Sequence, residues 1–308
     1  MLDVALLGTG GMMPLPERFL TSLLLRLNGK MLLIDCGEGT QVTLKKLGWG
    51  FKSIDAICFT HYHADHISGL PGMLLTIGNS GRTEPLFLIG PKGLKEVYRG
   101  LSVIAPELPF EVRLIELENA ERNTIDVSNF HITTQRAEHM ITCVAYSIYV
   151  HRIGKFNVEK AKALNLPKTL WAIIQKEGEV TYAGNLYTSD MVLGDERKGI
   201  KLTYCTDSRP TKGICSLAKD SDLFICEGMY GENEKLAKAK EHRHMIFSEA
   251  AKLALESGSK ELWLTHYSPA LTDPHFFIEN ARSIFPNTTA AEDRKTTTLL
   301  FEDKKTQG

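Results

Sequence analysis

Apolar positions along the first third of the chain fall into short runs bounded by glycine and polar residues. The opening MLDVALLGTGG reads as a strand followed by a glycine turn rather than a basic leader. TSLLLRLNGKMLLIDCG holds two apolar runs joined at Asn28-Gly29, a pair preferred in tight hairpins. IDAICFTH is a further strand, and residues 1–60 are predicted to form an antiparallel sheet. A Gly/Pro-rich loop, a helix-like stretch and the strand-and-turn EPLFLIGPKG follow, and NFHITTQRAEH alternates before breaking off. Regular strands resume at GIKLTYCTDS and DLFICEG. A helix is then predicted with Ser248 as N-cap, apolar positions through Leu255 and an end near Gly258, before the strand ELWLTH. This order suggests a layered α/β or α+β domain.

Residues 151–198 break the pattern. HRIGKFNVEKAKALNLPK carries Arg152, Lys155, Lys160, Lys162 and Lys168 against Glu159 alone, and is expected to be an excursion from the main domain. A chain of 308 residues is long enough for a well-buried core. Its composition, 43% hydrophobic and 24% charged, is that of a soluble globular protein. The net charge of −1 provides no global field for nucleic acid, so any polyanion site must be a local patch. No apolar run approaches a membrane span. Cys36, Cys58, Cys143, Cys205, Cys215 and Cys226 form no C-x-x-C pair and mostly sit in strand-like runs, which points to free thiols in a reducing cytoplasm.

The candidate chemistry lies where strands end. IDAICFT is followed by His61, KLTYCT by Asp207 and ELWLT by His266, while His139 lies a few residues beyond the run Phe130 to Thr134. Strand ends are rigid, and a catalytic metal needs ligands held accurately. In THYHADH the imidazoles of His61 and His63 project from one side of an extended segment. Asp65 and His66 follow a turn and can face a second point nearby. Nitrogen and carboxylate donors suit zinc, and also manganese or iron(II). Three histidines and an aspartate exceed an acid–base pair and suit two metals sharing a pocket. His131, His151 and His275 carry no such context, and His242 is expected at the surface.

HYHADH resembles the signature of the metallo-β-lactamase superfamily, which implies an αββα sandwich with metals at one edge. GTGGMMP, MLLIDCGEGTQ, THYHADHISGLPGML, EPLFLIGPKG, AEH, CTDSRP and KEHRHM follow one another as in the ribonuclease Z family of tRNA 3′-processing endonucleases. The resemblance implies a single domain over residues 1–308 with an arm-like insertion at 151–198. It also implies two Zn²⁺ ions, one held by His61, His63 and His139 and the other by Asp65, His66 and His266, with Asp207 bridging. Such a pair activates water and neutralises a phosphodiester. Asp65 would also orient the water. His244 would protonate the leaving ribose oxygen, and Glu227 would orient that imidazole and raise its pKa. The resemblance implies a cytoplasmic enzyme, a homodimer as the family usually is, acting on pre-tRNA.

Three departures bear on substrate. In PLPERF, Arg18 is kept, but Pro16 and Phe19 stand where the family has lysine and asparagine. In THYSPAL, Ala270 and Leu271 replace an arginine and a tyrosine. LNLPKTLWAII lacks the family's Gly-Pro arm motif. A metallohydrolase acting on a small phosphodiester such as a cyclic nucleotide therefore stays open, as does a non-catalytic RNA-binding relic, which the complete ligand set disfavours. Lactamase and thioesterase readings leave KEHRHM unexplained, and a redox role would need a flavin or electron-transfer segment.

Overall fold

The computed structural model describes residues 1–118 and 121–302. The chain divides into two compact units, one of residues 1–150 and 200–300 and the other of 151–199 with 301–302.

The larger unit contains two mixed seven-stranded sheets. Its first strands are β1 (Leu2–Gly8), β2 (Ser22–Leu27), β3 (Lys30–Ile34), β4 (Ile54–Cys58), β5 (Leu86–Gly90) and β6 (Val112–Glu116). The predicted hairpin joins β2 to β3, with Asn28 at φ 50° and Gly29 at φ 79°, the signs its turn type needs. The antiparallel expectation holds from β1 to β3 and then fails, because β4, β5 and β6 add in parallel. The reason is the helix Thr40–Leu47, a crossover that the apolar pattern did not reveal.

The second sheet begins with β7 (Arg122–Val127), β8 (Phe130–Ala137) and β9 (Cys143–Arg152), which are antiparallel neighbours. The smaller unit holds β10 (Glu179–Tyr182) and β11 (Asn185–Thr188). The chain then returns through β12 (Arg197–Cys205), β13 (Leu223–Glu227), β14 (Leu262–Thr265) and β15 (Thr288–Ala290), mutually parallel. The final strand, β16 (Thr296–Leu299), pairs with β1 and closes the edge of the first sheet.

Burial explains the αββα layering. Ala5 and Leu7 of β1 pack with Leu44, Ile67, Met73, Leu74 and Ile77 from helices, whereas Val4 and Leu6 are equally buried on the strand's other face. In β13, Phe224 and Cys226 meet Ile214, Ala250, Ala251 and Ala254 from helices, with Leu223 and Ile225 buried opposite. Strands buried on both faces need a layer on each side. The helix expected after Ser248 spans Phe247–Ser257 and ends at Gly258 with φ 67°. Ser248 does not cap it. Ile246 is the cap residue, and its N–H is bound by the Glu249 carboxylate at 3.2 Å. Among the described residues no helix is long and apolar enough to cross a membrane. Cys36, Cys58, Cys143, Cys205 and Cys226 are buried and Cys215 partly so, all as free thiols.

The smaller unit has its own core of Ala161, Leu166, Ile174 and Val192, with Phe156 and Trp171 packed against it. Asn157 caps its first helix, Val158–Ala163, accepting from the N–H groups of Glu159 and Lys160 at 3.0 and 3.1 Å.

Between β3 and the short helix Ala64–Ile67 the backbone approach is very close. A Cβ on Gly37 would lie 2.4 Å from the Asp65 carbonyl oxygen and 2.5 Å from the Leu20 Cβ. Gly100, inside the helix Leu94–Leu101, has nothing within 4 Å of such an atom. Gly37→Ala is therefore expected to destabilise the protein by about 1–3 kcal/mol. Gly100→Ala is expected to be neutral or to stabilise by up to about 1 kcal/mol. Urea unfolding of the two variants compares these effects.

Candidate metal centre

The loops leaving the strand ends of the two sheets bring the histidines and aspartates together. Asp35 follows β3, His61 lies just beyond β4, Asp207 beyond β12 and His266 beyond β14. Asp35, Asp207 and His266 all have left-handed backbones, with φ of 60°, 50° and 57°. Such conformations are uncommon outside glycine. Here they turn each side chain abruptly off its strand axis.

Two groups of donor atoms result. His63 Nδ1 lies 3.0 Å from His61 Nε2 and 3.2 Å from His139 Nε2. Asp207 Oδ2 lies 3.7 Å from His61 Nε2 and 3.6 Å from His139 Nε2. In the second group His66 Nε2 and His266 Nε2 are 3.2 Å apart, and each is 3.1 Å from Asp207 Oδ1. Asp65 Oδ2 completes it, 3.7 Å from His66 Nε2 and 3.4 Å from His266 Nε2. The two oxygens of Asp207 thus face different groups. Tetrahedral zinc with nitrogen ligands at 2.0–2.1 Å has ligand–ligand edges of about 3.3 Å. The observed spacings bracket that value.

The protonation pattern explains why a cation belongs here. Asp35 is fully buried, and its Oδ1 accepts the Thr60 N–H at 2.8 Å. Its Oδ2 is 2.9 Å from His66 Nδ1 and 2.9 Å from the Thr60 hydroxyl. A carboxylate can only accept, so His66 Nδ1 carries the hydrogen and Nε2 presents a lone pair. The Thr60 hydroxyl, donating to Asp35, accepts in turn from His61 Nδ1 at 3.0 Å. His61 Nε2 therefore also presents a lone pair. Asp207 Oδ1 is buried with no hydrogen-bond partner among the described residues. The bare Nε2 atoms of His61 and His66 lie 3.0 Å from His63 Nδ1 and 3.2 Å from His266 Nε2, a convergence of donor atoms that a cation between them would satisfy. The residues fit a pair of divalent metal ions.

The charges agree with this. Burial opposes ionisation of Asp207, but His266, His66 and His61 hold its carboxyl well below the usual range. Burial likewise opposes ionisation of Asp65, which His66 and His266 outweigh, so its pKa is lowered. Burial disfavours the imidazolium of His66, yet Asp207, Asp35 and Asp65 raise its pKa well above the ordinary value, so without a metal a proton occupies the Nε2 position that a cation would otherwise fill. The cluster calls for positive charge.

Two approaches complete the site. The Met12 N–H donates to Asp65 Oδ2 at 2.7 Å, and a Cβ on Gly11 would lie 2.7 Å from the His266 ring, so only glycine fits there. On the other side stands His244, 9% exposed, whose Nδ1 is 3.1 Å from Glu227 Oε2. Glu227 is fully buried and accepts from Ser208 N–H at 2.6 Å and Met245 N–H at 3.0 Å. Burial lowers the His244 pKa, but the charge and hydrogen bond of Glu227, with Asp207 and Asp65 behind, push it up to about 9. All of this opens into a cleft of about 580 Å³ lined by His63, Asp65, His139, Asp207, His244 and His266.

Every residue singled out in the sequence lies in this cluster. His242 is exposed at the cleft rim, and His131 and His275 pair with Asp126 and Glu292 on the surface. Asp35 was missed, although MLLID shows the same signal as the others, an apolar run ending in a potential ligand. Thr60 and the Arg209–Glu249 ion pair, which binds the His244 carbonyl oxygen, were also missed and have no sequence signal. Two of the altered family positions, Phe19 and Leu271, serve packing. Phe19 fills the space over Gly39, where a Cβ would meet its ring at 1.9 Å. Arg18 donates to the carbonyls of Leu271 and Thr272 at 2.7 and 2.9 Å, and Leu271 is buried.

Comparisons with known proteins agree with this geometry. The chain is 58% identical over 99% of its length to the whole of a ribonuclease Z from Lachnospira eligens. It is 56% identical over 98% of its length to 99% of a ribonuclease Z from Lachnoclostridium phytofermentans. Among solved structures it is similar to human tRNase Z, short form, with a TM-score of 0.68 at 25% identity, covering 97% of this chain and 100% of that one. Residues 2–158 match the family described as anti-Pycsar protein Apyc1.

Asp35→Asn replaces an obligatory acceptor by an amide of the same shape. It is expected to weaken metal binding about 10–100-fold. Competition with a chromophoric chelator measures this, and an unchanged affinity would show that Asp35 does not set the tautomers.

Proposed function

Because the chain belongs to the ribonuclease Z family, and residues 2–158 also to the family described as anti-Pycsar protein Apyc1, we propose that it is a metal-dependent endoribonuclease. It cleaves the phosphodiester at the 3′ end of precursor tRNA and leaves a 3′-hydroxyl on the tRNA. The observation that carries this reading is Asp207, whose two oxygens face two separate ligand groups in the cleft that also holds the His244–Glu227 pair. In this reading His61, His63 and His139 would hold one zinc ion and Asp65, His66 and His266 the other, with Asp207 shared between them. Manganese or iron(II) are alternatives on donor chemistry. When bound, such a pair supplies an activated water and neutralises the phosphate oxygens.

The chain's own residues do the rest. Asp65, ionised and fixed by the Met12 N–H, orients the attacking water as a hydrogen-bond acceptor. His244 enters as the imidazolium and gives its proton to the departing ribose oxygen, while Glu227 holds Nδ1 and stabilises the charged form. The segment 151–198 acts as an arm-like insertion that holds the body of the tRNA through phosphate contacts. A cytoplasmic homodimer is the accompanying reading.

A second reading, hydrolysis of a small phosphodiester such as a cyclic nucleotide, is favoured by Phe19, Ala270 and Leu271 and by the match of residues 2–158. Zinc-loaded protein given a precursor tRNA and bis(p-nitrophenyl) phosphate side by side separates the two. Accurate release of the 3′ trailer is expected. Cleavage of the small diester alone would transfer the assignment to the second reading.

His244→Ala is expected to keep its metal content and to lose roughly 10²–10⁴-fold in turnover on RNA. The loss should be much smaller on p-nitrophenyl esters, whose leaving group needs little protonation. The raised pKa means the donor form is full below about 9 and is lost as pH rises through it. RNA cleavage should fall over that limb, and Glu227→Gln should move the limb to lower pH.

Replacing Lys155, Lys160 and Lys162 together with alanine is expected to raise KM for precursor tRNA and to flatten its salt dependence, because each lost phosphate contact removes a released counterion. Hydrolysis of a small diester should hardly change. Identical tRNA kinetics at every salt concentration would remove the docking role from this segment.

A further inference from the structure

The rim of the cleft is unusual for a site built to handle phosphate. Beside the histidines and aspartates stand Met12, Met13 and Met140, with exposures of 67%, 56% and 64%. Three largely exposed methionines at one mouth are not explained by packing, since such side chains gain little from facing water. The backbone adds a second anomaly. Met12 has φ 69°, a conformation that L side chains rarely adopt, although its N–H is the donor that holds Asp65. Glycine would supply the same N–H without strain. A side chain kept there, and pointed largely into solvent, indicates that the thioether itself has a partner. Met140 has the same relation to the site from the opposite sheet, following His139 directly.

We propose that Met12, Met13 and Met140 form a subsite for the nucleobase next to the scissile phosphate. This rests on the phosphodiesterase reading of the metal centre and adds a recognition element to it. A phosphodiester bound at the metal ligands carries its next apolar, planar group within reach of the rim, and in a polynucleotide that group is a base. Methionine sulfur packs favourably on aromatic rings, and the flexible chain adapts to rings of different size. Such a surface tolerates any sequence, as an enzyme requires when the residues around its cleavage site vary. Lys238, the one lysine or arginine lining the cleft among the described residues, is placed to meet a flanking phosphate. Its ammonium otherwise lies 5.5 Å from the Tyr230 ring.

The test uses zinc-loaded protein labelled with ¹³C at the methionine methyl groups. Adenosine 5′-monophosphate and ribose 5-phosphate are titrated in parallel; they share sugar and phosphate and differ in the base. The methyl signals of Met12, Met13 and Met140, assigned by single Met→Leu variants, should move upfield by ring current with the nucleotide and stay in place with the sugar phosphate. Equal shifts with both ligands, or none with either, would overturn the subsite. Kinetics provide a second measure. Met13→Ser with Met140→Ser should raise KM for thymidine 5′-(p-nitrophenyl) phosphate about three- to tenfold with little change in kcat, the scale of sulfur–aromatic contacts. KM for methyl p-nitrophenyl phosphate should change less than twofold, and a matching rise on both esters would also count against a base subsite. Ring-current shifts without any ester hydrolysis would sink the phosphodiesterase reading and leave the base subsite standing. Hydrolysis without shifts would do the reverse.

Discussion

The hydrogen bonds accepted by the buried carboxylate of Asp35 organise the chemistry of this molecule. One of its oxygens receives the His66 Nδ1 hydrogen, and through the Thr60 hydroxyl it determines the tautomer of His61 as well. Both imidazoles then turn bare Nε2 lone pairs toward the cleft. Asp35 itself is held by the Thr60 N–H in a region where no water competes. A charge so deeply placed is tolerable because every direction it faces contains a donor.

Around that anchor the protein accepts local strain to gain accuracy. Asp35, Asp207 and His266 leave their strands in left-handed conformations, each costing on the order of 1–3 kcal/mol. Gly11 and Gly37 allow backbone and ring approaches that any Cβ would block. These costs are spread over a unit whose strands are buried on both faces. Its stability derives mainly from leucine, isoleucine, valine and phenylalanine packed far from the cleft. The site is therefore positioned by a core that does not take part in the chemistry, and metal binding would displace protons from the donor atoms that the core brings together.

Outside the ligand shell the division of labour follows burial. The His244–Glu227 pair lies on the second sheet's side of the cleft, where backbone N–H groups of Ser208 and Met245 hold the carboxylate and the Arg209–Glu249 pair holds the His244 backbone. This is a rigid mounting for the imidazole. The mouth of the cleft is softer, built of methionines and a lysine, and suits contact with a varied polymer. The basic segment forms a small unit with its own core.

Much of the candidate site was legible in the sequence because residues able to hold a metal leave a local mark: His61, His63, Asp65 and His66 fall within six positions, and Asp207 and His266 each follow an apolar strand. Strand identity and the Asn28-Gly29 hairpin were equally local. What only the tertiary structure decided was everything that depends on residues distant in the chain. The parallel addition of β4, the bond from Asp35 to His66, the 3.2 Å approach of His66 to His266 across 200 positions and the service of Phe19 and Arg18 in packing are of this kind. Periodicity and turn chemistry report on a residue and its near neighbours. Which strand end meets which is set by how two twisted sheets bury their shared faces, and that free energy belongs to the whole core.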